Sequence, residues 1–250
     1  MAQIQVIFTG GTISMQIDPT IGAAVPALEG SQILSAVTHL GESIQAKTYD
    51  FGQYPGPHIT PALMWELAQQ VKAFLDDPAI DGVVITHGTD TLEETAYFLD
   101  LVIQHEKPVV VTGSMRNASE LGYDGPANLR DAILVAAAPA ARGMGVLVCL
   151  SEHVLAASEA TKTHTEEAGT FQSPNFGPLG IVDMGKVLFY RSPVRRFQID
   201  SNGPVSPVDA FKMYTGADDR LLRFAVESGA QGVVIEALGR GNVPPPVVPG

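Results

Sequence analysis

One cysteine in 250 residues, Cys149, rules out an internal disulfide and a cysteine-based metal cluster. It lies in the apolar run GVLVCL, the setting of a small buried hydrophobe and not of a nucleophile. Positive charge is scarce: 15 Lys and Arg stand against 27 Asp and Glu, a net charge of −12. With a pI near 4.8, the chain lacks the clustered cations that phosphate binding requires, so no nucleic-acid partner is expected. The only dense basic group, Arg191, Arg195 and Arg196, is too small to reverse that reading. Aromatic residues make up 7% and are too scattered for a base-stacking surface. No apolar run approaches the roughly 18 to 20 residues that span a bilayer, so no membrane partner is expected. The start, MAQIQVIF, enters a strand pattern without the charged and apolar regions of a signal peptide. These absences predict a cytoplasmic protein.

Several motifs are also missing. Neither GxGxxG nor GxxxxGK[ST] occurs, and the nucleophile elbow G-x-S-x-G is absent. His58, His87, His105, His153 and His164 show no i, i+4 pair on a helix with a third ligand. No metal, nucleotide or redox cofactor is indicated.

What is present is apolar and periodic. Hydrophobic residues make up 45%, enough for a substantial core in a chain of this length. Strand candidates are IQVIFT (4–9), the segment near 44–49, GVVIT (82–86), PVVVT (108–112) and GVLVCL (145–150). Helix candidates fall near 31–40, 61–75, 91–104 and 126–137. The second opens on Thr60-Pro61, a cap residue followed by Pro at the first helical position. The third carries Leu92, Ala96, Leu99 and Ile103 at spacings of three and four. This alternation predicts an α/β fold with a doubly wound, mostly parallel sheet. The stretch from 171 to 193 has the Gly and Pro punctuation of a loop and short hairpin. Residues 1–191 are read as an N-terminal catalytic domain and 192–208, rich in Pro, Ser and Gly, as a linker. Residues 209–250 then begin a second, smaller α/β domain, with a helix over 218–228. Its strand GVVIEAL has almost nothing to pair with, so this domain is read as incomplete at the C-terminus.

Ligands in such sheets collect outside the carboxyl ends of the strands. Three strand ends are polar and glycine-containing: FTGGTIS (8–14), ITHGTDT (85–91) and VTGSMRN (111–117). Thr12 follows Gly10-Gly11, a pair that lets the backbone turn tightly and leaves amides free to face a ligand, or serves only as a turn. Thr89, Asp90 and Thr91 sit where a strand meets a helix. Asp90 or Thr91 can cap that helix, with Glu93 or Glu94 in the favourable first turn. A hydroxyl and a carboxylate there also suit a polar substrate bearing an ammonium group. Lys162, in the irregular run EATKTHTEE, is either a solvated charge or a partner of Thr89.

Taken together, TGGTIS, THGTDTLEETA, TKTHT and VTGSMRNASELGYDGPANLRDAI resemble the bacterial-type L-asparaginase/glutaminase family, from the first strand to the last residue. The resemblance implies deamination of L-asparagine to L-aspartate and ammonia through a threonine acyl-enzyme, with glutaminase side activity. It implies Thr12 as nucleophile, and Thr89, Asp90 and Lys162 as the second catalytic group. Gly11 and Gly88 flank the two threonines, and the Thr89 amide is the implied oxyanion donor. Ser114 and Met115 match a rim loop whose backbone contacts the amide group. Asn242 matches a residue donated across an intimate dimer, so a homodimer or dimer of dimers is expected.

The resemblance has departures. The family's mobile lid carries a Tyr, whereas MQIDPTIGAAVP has none, its nearest match falling around Pro19. Gly56 and Pro57 stand where the substrate-carboxylate pocket supplies a Ser and its neighbour. A glutamate that the family borrows from its second domain has no counterpart up to Gly250. Two other readings follow: a weakly active or non-catalytic amino-acid sensor that keeps the fold, and an amide-transferring subunit acting on charged tRNA. The four intact catalytic positions count against the first, and the acidic surface counts against the second.

Overall fold

The computed structural model describes residues 1–193 and 197–250. Arg195 and Arg196, part of the one basic group in the sequence, lie outside the described residues. The chain divides into two compact units, Met1–Ser201 and Asn202–Gly250. Among the described residues, no helix is long and apolar enough to cross a membrane.

In the first unit, β1 (Ala2–Phe8) leads through a 3-10 turn into a hairpin of β2 (Met15–Asp18) and β3 (Ala23–Pro26). Then follow α1 (Gly30–Ser35), β4 (Ile44–Asp50), α2 (Pro61–Asp76), β5 (Gly82–Thr86), α3 (Leu92–Val102), β6 (Val109–Thr112), α4 (Gly125–Ala137) and β7 (Val146–Leu150). The rest is strand and loop: β8 (His153–Ala156), β9 (Thr161–Lys162), β10 (Phe171–Gln172), β11 (Gly180–Asp183) and β12 (Lys186–Phe189). One sheet of eight strands runs β12-β11-β8-β7-β6-β5-β1-β4. Its five central-to-edge strands β7-β6-β5-β1-β4 are parallel, and β8, β11 and β12 add on antiparallel. The doubly wound expectation holds, with the 171–193 hairpin realised as β11 and β12.

Alternation along the strands explains the two faces. Ile4, Val6, Val84, Val110 and Leu147 pack with Leu129, Ala132 and Ile133 of α4 and Ile33 of α1. Their neighbours Ile7, Val83, Ile85, Val111 and Val148 pack with Leu67 and Val71 of α2 and with Leu92, Ala96 and Leu99 of α3. Period-two strands thus feed two helical layers. Thr60 caps α2 by accepting the Leu63 amide at 3.3 Å, as its Thr-Pro start predicts.

Two expectations need correction. The helix expected over 31–40 ends at Ser35. His39 and Gly41 adopt φ of 62° and 79°, the left-handed region that stops helical propagation. The strand GVVIEAL is not unpaired. In the second unit, β13 (Val208–Lys212) and β14 (Gly232–Glu236) form a parallel pair joined through α5 (Arg220–Glu227). The partner strand VDAFK alternates exposed and half-buried residues and carries two charges, so no apolar run marks it. Its first residue, Val208, falls within the stretch read as linker.

Candidate active site

Strand order places the site. The parallel strands run 2-1-3-4-5 in their own sequence, so the order reverses at β1, and ligands bind at such a switch point between the first and third strands. The carboxyl ends there are in register: Phe8 is level with Asp50 of β4 and Thr86 of β5, and Thr86 with Thr112 of β6. Four loops therefore leave one rim, carrying Gly11-Thr12, Gly56-Pro57, Gly88-Thr89-Asp90 and Ser114-Met115.

Glycines let these loops meet backbone to backbone. Gly11 has φ 83°, and a Cβ there would lie 2.5 Å from the Gly88 amide nitrogen and Cα. A Cβ on Gly88 would lie 2.6 Å from the Gly56 nitrogen. Neither position admits alanine without moving main chain, so the Thr12 and Thr89 loops are in direct contact. Thr12 opens the 3-10 turn Thr12–Ser14 and is half-buried. Ser14 returns both its amide and its hydroxyl to the Gly11 carbonyl, at 3.0 and 2.9 Å.

The structure brings Thr89, Asp90 and Lys162 together. Lys162 Nζ donates to Thr89 Oγ1 at 3.0 Å and to Asp90 Oδ1 at 2.8 Å. Thr89 is buried, the Lys162 side chain nearly so, and the Asp90 carboxylate largely open to solvent. Lys162 occupies β9, whose short pairing with β10 replaces the irregular segment expected from sequence. Glu93 holds that strand in place: its carboxylate accepts the Lys162 amide and, at 3.2 Å, the Thr161 hydroxyl.

Thr91 stands at the N-cap position of α3, but its hydroxyl makes no cap bond. It donates instead to the Gly56 carbonyl at 2.7 Å, tying the loop after β5 to the loop after β4. Capping was therefore right in position and wrong in chemistry. His87 is fully buried; its Nδ1 meets the Gly88 carbonyl at 2.8 Å, which makes Nδ1 the protonated nitrogen, and Thr95 Oγ1 meets Nε2 at 2.9 Å. Burial pushes the imidazole down to about 4, outweighing the carbonyl bond.

In the 113–124 loop, Ser114 is buried and its hydroxyl donates within the loop to Asp124 Oδ1 at 2.6 Å, with the Arg116 carbonyl also adjacent. The Met115 amide is likewise taken by Asp124, at 3.1 Å. Gly56 is buried against Gly88 and Pro57 is exposed. Asn242 is in the second unit, exposed, and bridged through its backbone to Leu238.

Sequence reasoning missed Asp124 and Tyr123, and gave Glu93 only a helix-start role. Asp124 precedes Gly-Pro at the start of α4 and so reads as a plain N-cap. Its side chain turns away, to Ser114, Met115, Arg116 and Asn128. Tyr123 donates its hydroxyl to the Ile13 carbonyl at 2.6 Å, beside Thr12. A pairing across 110 positions leaves no local signal.

Comparison with known proteins agrees with this geometry. The family signature described as "Asparaginase, N-terminal" matches residues 3–195, and "Glutaminase/Asparaginase C-terminal domain" matches 207–250. An L-asparaginase of Bacillus licheniformis is 40% identical over 243 residues, covering 97% of this chain and 75% of its own length. A glutaminase-asparaginase of Pseudomonas aeruginosa is 35% identical over 260 residues, covering 100% of this chain and 71% of its own. A solved structure, described as a probable cytoplasmic L-asparaginase from Campylobacter jejuni, superposes with a TM-score of 0.91 at 32% identity. That match spans 100% of this chain and 79% of the other. A chain with this rim of four loops, matched along nearly its whole length, belongs to the asparaginase family.

Proposed function

We propose that this protein hydrolyses the side-chain amide of L-asparagine to L-aspartate and ammonia, with glutamine as a secondary substrate. The observation that carries the reading is the bond from Lys162 to both Thr89 and Asp90, on a loop packed against the Gly11-Thr12 turn. Thr12 is the nucleophile. Its oxygen bonds to the carboxamide carbon, the C–N bond breaks, and ammonia leaves with the hydroxyl proton. Water then cleaves the Thr12 ester, releasing the carboxylate and restoring the hydroxyl. A threonine hydroxyl needs a polarising partner for this, and Thr89, hydrogen-bonded to Lys162, is the group through which protons move. The Thr89 amide stabilises the oxyanion, a contribution on the order of 3 kcal/mol in hydrolases. Asp90, exposed and acidic, receives the substrate ammonium. Gly56, lacking a hydroxyl, offers its amide to the substrate carboxylate, with Pro57 beside it. The Met115 amide is already engaged, which leaves the carbonyls of the Ser114–Met115 loop to accept from the substrate amide.

The protein works as a homodimer or dimer of dimers, with Asn242 contributing across the interface. A cytoplasmic location is supported by the description of the Campylobacter jejuni structure and by the single buried cysteine. The decisive assay follows ammonia release from L-asparagine and L-glutamine, alongside Thr12→Ala. Saturable binding without turnover would replace the hydrolase with a sensor. Turnover surviving in Thr12→Ala would remove the nucleophile.

A further inference from the structure

The turn that carries Thr12 is packed on its upstream side, where Gly11 meets the Gly88 backbone. Gly10 and Gly11 have φ of 100° and 83°, and glycine is the residue least restrained by its own sterics. Ser14 closes the turn on the Gly11 carbonyl, and a further hold acts downstream of Thr12. The next residue is Ile13, and its carbonyl accepts the Tyr123 hydroxyl at 2.6 Å. We propose that Tyr123 is a positioning residue for Thr12, its hydroxyl pinning the Ile13 carbonyl and so fixing the turn that presents the nucleophile. This rests on Thr12 being that nucleophile.

The surroundings are built to aim this one bond. Ile13 is fully buried, so its carbonyl has little access to a competing water. Tyr123 packs along the edge of the core formed with α1 and α4. Gly125 leaves room for the ring: a Cβ there would stand 2.5 Å from ring carbons and the hydroxyl oxygen. Burial, with the Asp124 charge adding to it, pushes the phenol up to about 12, so it remains a donor throughout the neutral range. Two further bonds continue the same seam beside the β2–β3 hairpin. The Ala118 amide donates to the Met15 carbonyl at 2.9 Å, and Ser119 Oγ accepts the Ile17 amide at 3.0 Å. The donor loop is stiff in its own right. Asp124 gathers Ser114, Met115, Arg116 and Asn128, and Glu120 accepts from Asn117. A rigid loop thus straps the nucleophile turn and the hairpin that follows it, with the Tyr123 bond falling one residue from Thr12.

The test is Tyr123→Phe, which keeps the ring and removes the hydroxyl. Misplacing a reacting group by a fraction of its bond reach lowers the chemical step, so kcat should fall roughly tenfold or more while KM moves less than about twofold. Tyr49→Phe is the control, because among the described residues its hydroxyl meets Gln70 on the surface, at 3.2 Å, away from the site, and its kcat should match the parent. Amide exchange over residues 12–18 should also quicken in Tyr123→Phe. Parent-like kcat and exchange in a folded Tyr123→Phe would overturn the proposal. A loss confined to melting temperature, with kcat intact, would overturn it too, since that is what a purely structural tyrosine gives. If Tyr123→Phe does not fold, Ser119→Ala tests the same seam from its exposed end. Faster exchange over 15–26 supports the strap, and unchanged exchange removes it. Thr12→Ala separates the two claims: if that variant still turns over, the nucleophile assignment fails, whatever Tyr123 does.

Discussion

Lys162 has three N–H donors and meets two oxygens of different character, the Thr89 hydroxyl and the Asp90 carboxylate. Removing the ammonium leaves Thr89 without the partner that polarises it. Lys162→Met should therefore lower kcat for L-asparagine by at least about 100-fold, the lower range for losing a positioned proton-transfer partner. Lys162→Arg should not restore it, because a planar guanidinium cannot take the place of a point donor on a half-buried strand. Steady-state kinetics on folded variants decide this, and recovery by Arg would show that charge alone suffices. His87 is a different kind of residue, buried and neutral. Its folded pKa, about 4, lies below the ordinary 6.5. Between those values the unfolded chain binds a proton that the folded chain refuses, so stability falls as pH drops from about 6.5 to 4. The total is about 3 kcal/mol for a group this buried. Urea midpoints measured at pH 7, 5.5 and 4.5 should show that extra decline in the parent and lose it in His87→Gln. Parallel declines in both would show that His87 is not its source.

Helix α2 shows how an element can depend on a residue well outside it. Lys107, just before β6, donates from Nζ to the carbonyls of Leu75 at 2.6 Å and Asp77 at 2.8 Å. A cation at a helix C-terminus satisfies orphan carbonyls and complements the dipole. Lys107→Ala should cost about 1–2 kcal/mol in denaturant melts and leave kcat unchanged, since Lys107 touches no site residue. Elements of this kind were largely legible from sequence. GVVIT is strand over the predicted residues, and α2 begins at Pro61 as its Thr-Pro start implies. Repetition within a few residues, two for strands and three or four for helices, carries that information. What lacked repetition was missed. Strand β13 has two charges in five residues, and α1 ends at Ser35, ahead of a left-handed His39 that the sequence does not advertise. The site divides along the same line. Thr12, Thr89, Asp90 and Lys162 stand out as polar residues in glycine-marked loops or matched motifs. Asp124, Tyr123 and the positioning role of Glu93 depend on contacts between distant segments. Which oxygen Thr91 would bind was equally hidden, because Gly56 is its partner only after β4 and β5 flank β1.

The two units differ in what they can bury. The first has two helical layers over an eight-stranded sheet, with long aliphatic side chains fully enclosed on both faces. The second buries Met213, Ala217 and Val247 in one small cluster, with Phe211, Leu222 and Val243 against it. Its sheet is a single parallel pair, and α5 exposes Leu221, Phe224 and Val226. A two-stranded sheet is at best marginal in water, and so small a cluster does not offset the conformational entropy of the unit. Produced separately, residues 1–201 should unfold in one cooperative transition, while 202–250 should show none by circular dichroism on heating. The apolar side chains on α5 and β14 explain the second outcome, because they stabilise structure only when something covers them. Adding the separate 202–250 piece to 1–201 tests whether the first unit is sufficient cover: induced helical signal would show that it is. An unchanged spectrum would show that the first unit is not sufficient cover. A sharp thermal transition in the isolated 202–250 piece would refute the claim of dependence outright.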